Sequence, residues 1–420
     1  MTEKQSPDAF RRSVDSALAE MRVLFAETPL QLNDHLSARF GARIWLKRED
    51  LSPVRSYKIR GAFNFIRKAL VANPQQSLFV CASAGNHAQG FAYVCRHFGR
   101  KGVVFMPVTT PQQKIDKTRV FGGEFIEIRL TGDFFDACYD AAREFAAAEG
   151  ALMTPPFDHD DIIEGQASVA AEIAAQLPDG EAPDLIVLPV GGGGLSAGIA
   201  RYLEGRVDTD NFLLVEPAGA PSLKESLRAG HRVKLGRIDN FVDGAAVAEI
   251  GERNFEILKR FRPEQVMTVP ENAICLTMTR ILNTEGIVLE PAGALSISAL
   301  EAMGPDQLAG KTVVAVVSGG NFDFERLPDV KERAMRYAGT KKYFILRLPQ
   351  RPGALRDLLS LLGPEDDIAR FEYLKKSARN FGSILIGIET GSPDNFLRLV
   401  EAFDRAMPRE PAGANRIRLM

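Results

Sequence analysis

Short, uninterrupted apolar runs recur along the chain, and they constrain its fold more than any other feature. Turn residues bound each run, and the runs are Leu78–Cys81, Gly102–Met106, Phe125–Ile128, Leu185–Leu188, Phe212–Val215 and Thr312–Val317. A strand that is apolar at every position has both faces of its sheet covered, as in parallel sheets. Because helical patterns such as Asp136–Ala148 separate the runs, the sequence predicts an α/β protein with mainly parallel sheets.

The pattern changes after a charged, helix-prone segment, 327–342, which is predicted to be a linker. The elements predicted beyond it are a strand at Tyr343–Leu348, a helix from Pro352 through Leu362, strands at Ile368–Lys375 and Ser383–Glu389, and a helix at Asn395–Ala406. A β-α-β-β-α order in so short a segment is typical of the ferredoxin-like arrangement. We therefore expect a separate C-terminal domain at 343–420.

Composition argues against several classes of protein. The chain has 420 residues, enough for two or three domains, and its formal net charge of -2 gives no basic surface for nucleic acid or an anionic membrane. No apolar run is long enough to cross a bilayer, and Met1–Leu24 lacks the apolar core of a signal peptide. The four cysteines form no CxxC and the five histidines no HExxH. We expect a soluble, cytoplasmic protein without a metal.

A glycine run follows a predicted strand, Asp184–Val190, and opens a predicted helix, Leu195–Leu203. The residues of this loop are Gly191, Gly192, Gly193, Gly194 and Leu195. Glycines let the backbone approach an anion closely, and a helix N-terminus presents unpaired N–H groups and the positive end of the helix dipole. The loop is therefore predicted to bind a phosphate group.

Two other patterns overlap the same loop. Gly192-x-Gly194-x-x-Ala197 is a permitted dinucleotide fingerprint, and Glu216 ends the next predicted strand, where a ribose-binding acid would stand. The run Gly194–Gly198 also spells the nucleophile elbow of a hydrolase. A hydrolase needs an acid and then a histidine, and His231, the only later histidine, follows no clear strand end. Neither alternative accounts for the two further motifs described next.

A lysine and a polar turn complete a constellation with the glycine loop. Lys58 lies in Ser56–Ala62, which reads Ser-Tyr-Lys-Ile-Arg-Gly-Ala, and the turn Ser83–Gly90 reads Ser-Ala-Gly-Asn-His-Ala-Gln-Gly. A lone lysine is usually a solvated surface charge. A lysine able to form a Schiff base, a turn of small polar residues and a phosphate loop are together what an enzyme needs to hold pyridoxal 5'-phosphate (PLP).

The order and content of these motifs resemble the fold-type II PLP enzymes, and most closely the threonine dehydratase (threonine ammonia-lyase) family. The motifs that carry the resemblance are Glu27–Leu30, Leu46–Leu51, Ser56–Ala62, Ser83–Gly90, Gly191–Leu195, Glu290–Ala294 and Ser318–Asn321. The C-terminal segment, with Arg351–Leu355, resembles one ACT-like regulatory module. A single module is typical of the short biosynthetic form.

The resemblance implies a domain organisation. A two-domain catalytic unit like the tryptophan synthase β subunit is expected at 1–326, with a small subdomain at about 58–150 inserted in the larger one. The linker 327–342 and a ferredoxin-like, ACT-like domain at 343–420 follow. The family also implies a homo-oligomer, a dimer or a tetramer.

The resemblance also implies roles for individual residues that contact the cofactor. Lys58 matches the Schiff-base lysine and Asn86 the side chain that binds the 3'-oxygen. Gly191–Leu195 match the phosphate loop, and Ser318 matches the residue that faces the pyridine nitrogen.

The substrate carboxylate is expected in the polar turn, at Ser83, Gly85, Asn86 and His87. For His87 we favour the backbone N–H over a catalytic imidazole. Tyr373 matches a position near the effector pocket of relatives. Glu216 matches the start of a cation site in related racemases, but Ser222 stands where their aspartate would be, so no metal is expected.

The implied reaction converts L-threonine to 2-oxobutanoate and ammonia, the first step of isoleucine biosynthesis, with L-serine as a secondary substrate and isoleucine or valine as effectors. A serine racemase/dehydratase shares nearly all the motifs, but related racemases carry a serine where this chain has Ala84. Threonine and cysteine synthases are more distant relatives. A non-catalytic amino-acid sensor would not need Lys58, and the C-terminal domain could serve only for dimerisation.

Overall fold

The structure is a computed structural model that describes residues 6–179, 181–374, 381–406 and 417–419. The chain divides into two compact units, Met1–Phe324 and Glu325–Met420. No helix in the described ranges combines the length and the apolar character that a bilayer span requires. The domain boundaries given above remain predictions.

The first unit alternates strands and helices. Its strands are β1 (Leu30–Leu32), β2 (Arg43–Arg48), β3 (Leu78–Ala82), β4 (Lys101–Met106), β5 (Ile126–Leu130), β6 (Leu152–Met153), β7 (Leu185–Pro189), β8 (Phe212–Pro217), β9 (Val266–Val269) and β10 (Thr312–Val317). Its helices are α1 (Pro7–Met21), α2 (Asp34–Phe40), α3 (Lys58–Ala72), α4 (Asn86–His97), α5 (Gln112–Gly122), α6 (Phe135–Glu149), α7 (Asp160–Gln176), α8 (Gly194–Tyr202), α9 (Ser222–Ala229), α10 (Glu252–Leu258), α11 (Glu271–Glu285), α12 (Pro291–Met303) and α13 (Pro305–Leu308).

Two sheets organise this unit. The larger sheet has the order β1-β2-β10-β7-β8-β9 and is parallel except for the antiparallel pair β1 and β2. The smaller sheet has the order β5-β4-β3-β6 and is parallel throughout. Each predicted apolar run overlaps one of these strands, so the prediction of an α/β fold with mainly parallel sheets is confirmed.

Helices cover both faces of the larger sheet, which explains its uninterrupted apolar runs. Ile186 and Leu188 pack in one buried cluster with residues of α1, α7 and α8. Val187, which points to the opposite face, is fully buried as well, and α12 contacts its strand. A parallel strand sandwiched in this way has no solvent-facing side and needs no polar residues.

The second unit is a ferredoxin-like fold. Its elements are α14 (Leu327–Tyr337), β11 (Lys341–Pro349), α15 (Ala354–Leu359), β12 (Asp366–Leu374), β13 (Phe381–Thr390), α16 (Asn395–Ala406) and β14 (Ile417–Leu419). The sheet order is β12-β13-β11-β14, and every neighbouring pair is antiparallel. Phe344, Ile386 and Phe403 form its core with other apolar residues. The predicted β-α-β-β-α order is confirmed, and β14 adds a strand that the sequence did not predict.

Helix α15 ends at Leu359, earlier than the predicted Leu362. The next residues form i→i+3 turns, because the N–H groups of Leu361 and Leu362 donate to the carbonyls of Leu358 and Leu359. Pro364 follows Gly363, and a proline disfavours helical backbone in the residue before it. Helix α14 occupies most of the predicted linker.

Candidate active site

The segment before Lys58 lies against the carboxyl end of β10. An isolated β-bridge joins Ser56 to Gly319, and the N–H of Tyr57 donates to the carbonyl of Ser318 at 3.2 Å. The glycine loop follows β7, the neighbour of β10 in the sheet. Ligands of open α/β sheets bind at the carboxyl ends of the strands, so this edge is the expected position of a site.

Lys58 is the first residue of α3, and its amine is held in an apolar setting. Its Nζ donates to the carbonyl of Pro156 at 2.8 Å and lies 5.3 and 5.8 Å from the ring centroids of Tyr57 and Phe157. Burial lowers the pKa of Lys58 to about 8, against the opposing attraction of Glu290. A larger fraction of this amine than of an ordinary lysine is therefore uncharged near neutral pH and able to act as a nucleophile or a base.

A buried cluster of charges fixes the start of α3. The guanidinium of Arg60 donates to Glu49 at 2.8 Å and to Glu172 at 2.7 Å, and the amine of Lys47 donates to Glu172 at 2.6 Å. These four side chains are fully buried. Charges so deep in a protein are tolerated only when they are paired and hydrogen-bonded, so the cluster holds α3 against β2 and α7.

The glycine loop packs so closely against its neighbours that it has no room for side chains. Gly193 has a φ of +91°, which a residue with a Cβ rarely adopts. A Cβ added to Gly192 would lie 2.4 Å from the ring of Phe157, and one added to Gly191 would lie 2.8 Å from the Cα of Ala245. The first N–H groups of α8 have no intrahelical acceptor. The loop thus has the shape and the donors of an anion cradle.

Phe157 connects the loop with the lysine. Its ring lies against Gly192 and also near the amine of Lys58, with the distances given above. It belongs to the segment that joins β6 to α7. The predicted phosphate loop and the predicted Schiff-base lysine therefore share one neighbour.

Asn86 begins α4, and both the nitrogen and the oxygen of its side-chain amide make hydrogen bonds. Its Nδ2 donates to Oε1 of Glu290 at 2.6 Å, and its Oδ1 accepts from Nδ2 of Asn321 at 2.8 Å. Burial raises the pKa of Glu290 to about 7, against the hydrogen bond from Asn86. In the same turn the N–H of Gly85 donates to Oγ of Ser83 at 3.2 Å.

The imidazole of His87 is buried and neutral. Its Nε2 lies 3.0 Å from the carbonyl of Thr154, which can only accept, so Nε2 carries the proton. Burial, followed by the charge of Lys58, lowers the pKa of His87 to about 3. This imidazole carries no positive charge at neutral pH, which favours the backbone N–H as its contribution to the site.

Ser318 is buried, and its hydroxyl donates to the carbonyl of Ala292 at 3.2 Å. The next residue, Gly319, has no side chain, and this leaves room for the carboxyl group of Glu290. A Cβ at position 319 would lie 2.2 Å from Oε1 of Glu290. The Lys58 segment, the Asn86 turn and the end of β10 are therefore brought together around Glu290.

Three side chains from the dinucleotide and hydrolase patterns lie in other settings. The carboxyl group of Glu216 is buried and accepts from the N–H groups of Leu223 and Lys224 at 2.7 and 2.9 Å, where α9 begins. Burial raises its pKa to about 7, against those two bonds. The hydroxyl of Ser196 is buried and donates to Pro189 O at 2.8 Å, whereas His231 is exposed, so no nucleophile elbow is formed.

The second unit contains a cavity of 580 Å³ at the start of α15. Its lining residues are Gln350, Arg351, Pro352, Gly353, Ala354, Leu355, Arg356 and Tyr373. The predicted effector residue Tyr373 therefore shares a cavity with the Arg351–Leu355 motif. Arg351 is oriented there by an ion pair with Asp357 at 2.7 Å.

Several residues of the site were not predicted. Pro156, Phe157 and Asn321 surround Lys58 and Asn86, and Arg60 and Glu172 anchor α3. Only the Asn321 and Arg60 positions lie within a recognised motif. The others come from segments that are distant in sequence and carry no local pattern.

Comparisons with known proteins agree with this geometry. Residues 22–319 match the family described as "Pyridoxal-phosphate dependent enzyme", and residues 332–406 match the "C-terminal regulatory domain of Threonine dehydratase". The biosynthetic L-threonine dehydratase IlvA of Bacillus subtilis is 47% identical over 90% of this chain and 89% of its own length. That of Halalkalibacterium halodurans is 44% identical over 92% of each chain.

A solved structure gives the same result. The processed form of threonine deaminase isoform 2 from Solanum lycopersicum superposes with a TM-score of 0.71 and 34% identity, covering 79% of this chain and 94% of that one. The dinucleotide and hydrolase alternatives are therefore wrong. The predicted resemblance is confirmed, and this chain belongs to the family of pyridoxal-phosphate-dependent enzymes, among the threonine dehydratases that carry a C-terminal regulatory domain.

Proposed function

We propose that this protein is a threonine ammonia-lyase that converts L-threonine to 2-oxobutanoate and ammonia. The observation that carries the proposal is the amine of Lys58, with its pKa of about 8, beside the glycine loop and near the carboxyl group of Glu290. The names of the relatives, biosynthetic L-threonine dehydratases over about nine tenths of the chain, supply the substrate.

The described residues fit the cofactor. The glycine loop is a cradle that a Cβ would fill, with helix N–H groups at its rim, and it suits a phosphate group. Lys58 would hold the cofactor covalently, Asn86 would bind its 3'-oxygen, and Ser318 would face its ring nitrogen with a neutral hydroxyl. When bound, PLP supplies the electron sink for negative charge at the substrate Cα.

Lys58 would also move the proton. An amine with a lowered pKa is uncharged in more of the molecules near neutral pH than an ordinary lysine is, and the uncharged form can accept the Cα proton of the substrate. Glu290, whose pKa of about 7 lies close to that of Lys58, favours the charged form of the Lys58 amine when its own carboxyl group is ionised. Both groups therefore titrate in the range where a metabolic enzyme works.

The polar turn would bind the substrate carboxylate. The residues proposed for it are Ser83, Gly85, Asn86 and His87. They lie at the N-terminus of α4, a helix of 12 residues whose first N–H groups point toward an incoming anion. The neutral imidazole of His87, bonded to Thr154, keeps that N-terminus in place without adding a charge.

The test is a keto-acid assay with L-threonine and L-serine, run on the purified protein loaded with PLP. We expect 2-oxobutanoate from threonine and slower pyruvate formation from serine. If serine is used far better than threonine, the protein is a serine dehydratase of the same family. If neither amino acid is consumed, the proposed activity is wrong.

The proposal extends to regulation. The cavity that contains Tyr373 would bind isoleucine or valine, since its lining combines the cations Arg351 and Arg356 with the apolar Pro352 and Leu355. A cation suits the carboxylate of an amino acid, and the apolar residues suit a branched side chain. We also propose that the protein forms a dimer or a tetramer and is located in the cytoplasm.

A further inference from the structure

The carbonyl of Gly192, in the middle of the glycine loop, is held from behind by helix α10. Nδ2 of Asn254 donates to this oxygen at 2.6 Å, and the N–H of Gly251 donates to it at 3.2 Å. Asn254 is fully buried. Two donors on one carbonyl make it a fixed point of a loop that is otherwise built from flexible glycines.

The amide of Asn254 can face the loop in only one orientation. Its Nδ2 also lies 3.4 Å from the carbonyl of Phe157, so both neighbours are acceptors and the NH₂ group must point to them. Its Oδ1 is left buried with no hydrogen-bond partner among the residues that the structure describes. An unpaired buried oxygen is unfavourable, so the hydrogen bonds that the NH₂ group donates must offset this cost.

The planar peptide bond between Gly192 and Gly193 lets this contact set the direction of the Gly193 N–H. In a trans peptide the C=O of Gly192 and the N–H of Gly193 point in opposite directions. Because the C=O points at Asn254, the N–H of Gly193 points to the side of the loop that faces away from Asn254. The rear side is filled, since a Cβ on Gly193 would lie 2.7 Å from Ile250 and 3.0 Å from Asn254.

Helix α10 is itself fixed to the segment that contacts Lys58. The carboxylate of Asp158 accepts from the N–H groups of Glu252 and Arg253, both at 2.9 Å. Two residues earlier, Pro156 accepts from the amine of Lys58. The rear support of the loop and the lysine are therefore tied to one short stretch of backbone.

We propose that Asn254 is a positioning residue for the phosphate group of the cofactor, because its hold on the Gly192 carbonyl aims the Gly193 N–H at that phosphate. The proposal rests on the assignment of the glycine loop as the phosphate site made above. Asn254 does not touch the cofactor. Its removal should weaken the binding of the phosphate and leave the binding of the ring and aldehyde unchanged.

The test compares two ligands that differ only in the phosphate. The full-length protein is stripped of cofactor, and the dissociation constants of PLP and of pyridoxal are measured by absorbance for wild type and for Asn254→Leu, which has a similar size and no donor. We expect the PLP constant to rise about tenfold and the pyridoxal constant to change less than about twofold. If Asn254→Leu does not fold, Asn254→Ala is measured instead.

Two control variants test whether the effect is specific to Asn254 and whether the loop binds the phosphate. Gln265→Leu removes another buried amide, one that donates to Thr209 O at 2.7 Å away from the loop, and should leave the ratio of the two constants unchanged. Gly193→Ala opposes the left-handed backbone of the loop itself and should weaken PLP selectively.

The possible results distinguish an error about Asn254 from an error about the glycine loop as the phosphate site. If Gly193→Ala weakens PLP selectively and the Asn254 variants do not, the loop binds the phosphate and the role of Asn254 is wrong. If the Asn254 variants weaken PLP and pyridoxal by the same factor, their effect is merely structural and the role is equally wrong. If Gly193→Ala shows no selectivity, the assignment of the loop fails.

Discussion

The amine of Lys58 is balanced between two opposing influences. Burial disfavours its charged form, and the nearby carboxyl group of Glu290 favours it, so its pKa falls from 10.5 to about 8 rather than further. At the scale of single residues this balance makes Lys58 reactive, and it can be tested without any assay of turnover.

The first prediction concerns the capture of PLP by the cofactor-free protein. Because only the uncharged amine attacks an aldehyde, the capture rate should rise with pH and reach half its maximum near pH 8. The growth of the visible absorbance band after mixing measures this rate. Glu290→Gln removes the attraction that favours the charged amine, so its midpoint should move to lower pH. A midpoint near 10.5, the ordinary lysine value, would contradict the account.

A second prediction rests on the half-buried Ala84 of the polar turn. Racemisation needs a second group that can return a proton to the opposite face of Cα, and a methyl group cannot do this. We expect serine to be eliminated with very little D-serine formed, as measured by chiral chromatography after long incubation. Ala84→Ser should introduce weak racemisation. Rapid D-serine formation by the wild type would show that another residue supplies the proton.

The parts of the site that could be predicted are those whose residues are adjacent in the sequence. Lys58, Asn86 and the glycine loop belong to runs of adjacent residues whose chemistry is legible in the sequence. Pro156 and Asn254 act through a backbone carbonyl and a buried amide, and neither has a sequence pattern. Contacts of this kind depend on which segments the fold brings together, and a single sequence does not contain that information.

At the scale of elements, helix α3 depends on its buried charges. Burial opposes the ionisation of Glu172, but the ion pairs with Arg60 and Lys47 outweigh it and hold the pKa of Glu172 well below its ordinary value. Glu172 therefore stays charged at physiological pH. Removing Arg60 takes away a cation that pairs with two buried carboxylates, Glu49 and Glu172.

The third prediction is that Arg60→Met lowers the free energy of unfolding by about 3–5 kcal/mol. The chain has one tryptophan, Trp45, on β2 in the first unit, so its fluorescence in urea reports on that unit. Arg67→Met is the matched control, because Arg67 lies on the same helix and pairs with the half-exposed Glu20. That change should cost less than Arg60→Met, because the carboxylate of Glu20 keeps half of its side chain in solvent. Equal losses in the two variants would show that the buried cluster does not anchor α3.

Elements were predictable where burial leaves a strong pattern. Nearly every residue is buried in β3, β4, β7, β8 and β10, and these strands stand out as uninterrupted apolar runs. Two short strands, β6 and β14, have two and three residues, too few to show any periodicity. Helix α15 was predicted too long because the apolar pattern continues through Leu362 while the backbone already turns toward Pro364.

At the scale of the whole molecule, the chain consists of two units with separate cores. Their existence was predictable, because the periodicity of the sequence changes between them. An effector bound in the second unit can inhibit catalysis in the first only if it binds more tightly to a less active state, and threonine must then oppose effector binding to the same degree.

The fourth prediction is that isoleucine or valine shifts the threonine saturation curve about 5- to 150-fold, the range of typical coupling energies. Tyr373→Ala should weaken this response and leave the effector-free activity unchanged, as measured by keto-acid formation at varied threonine. Phe371→Ala is the control, since Phe371 is an equally exposed aromatic residue on β12 outside the cavity lining. If neither amino acid binds or shifts the curve, the second unit has only a structural role.

The most direct measurement of the central claim is 2-oxobutanoate formation from L-threonine by the full-length protein loaded with PLP. Wild type, Lys58→Ala and Lys68→Ala are compared, the last being a change of another lysine on the same helix, paired with Asp161 and Glu164. The account predicts keto acid and ammonia in equal amounts from wild type and Lys68→Ala, and none above background from Lys58→Ala. Normal turnover by Lys58→Ala, or no turnover by PLP-loaded wild type, would contradict it.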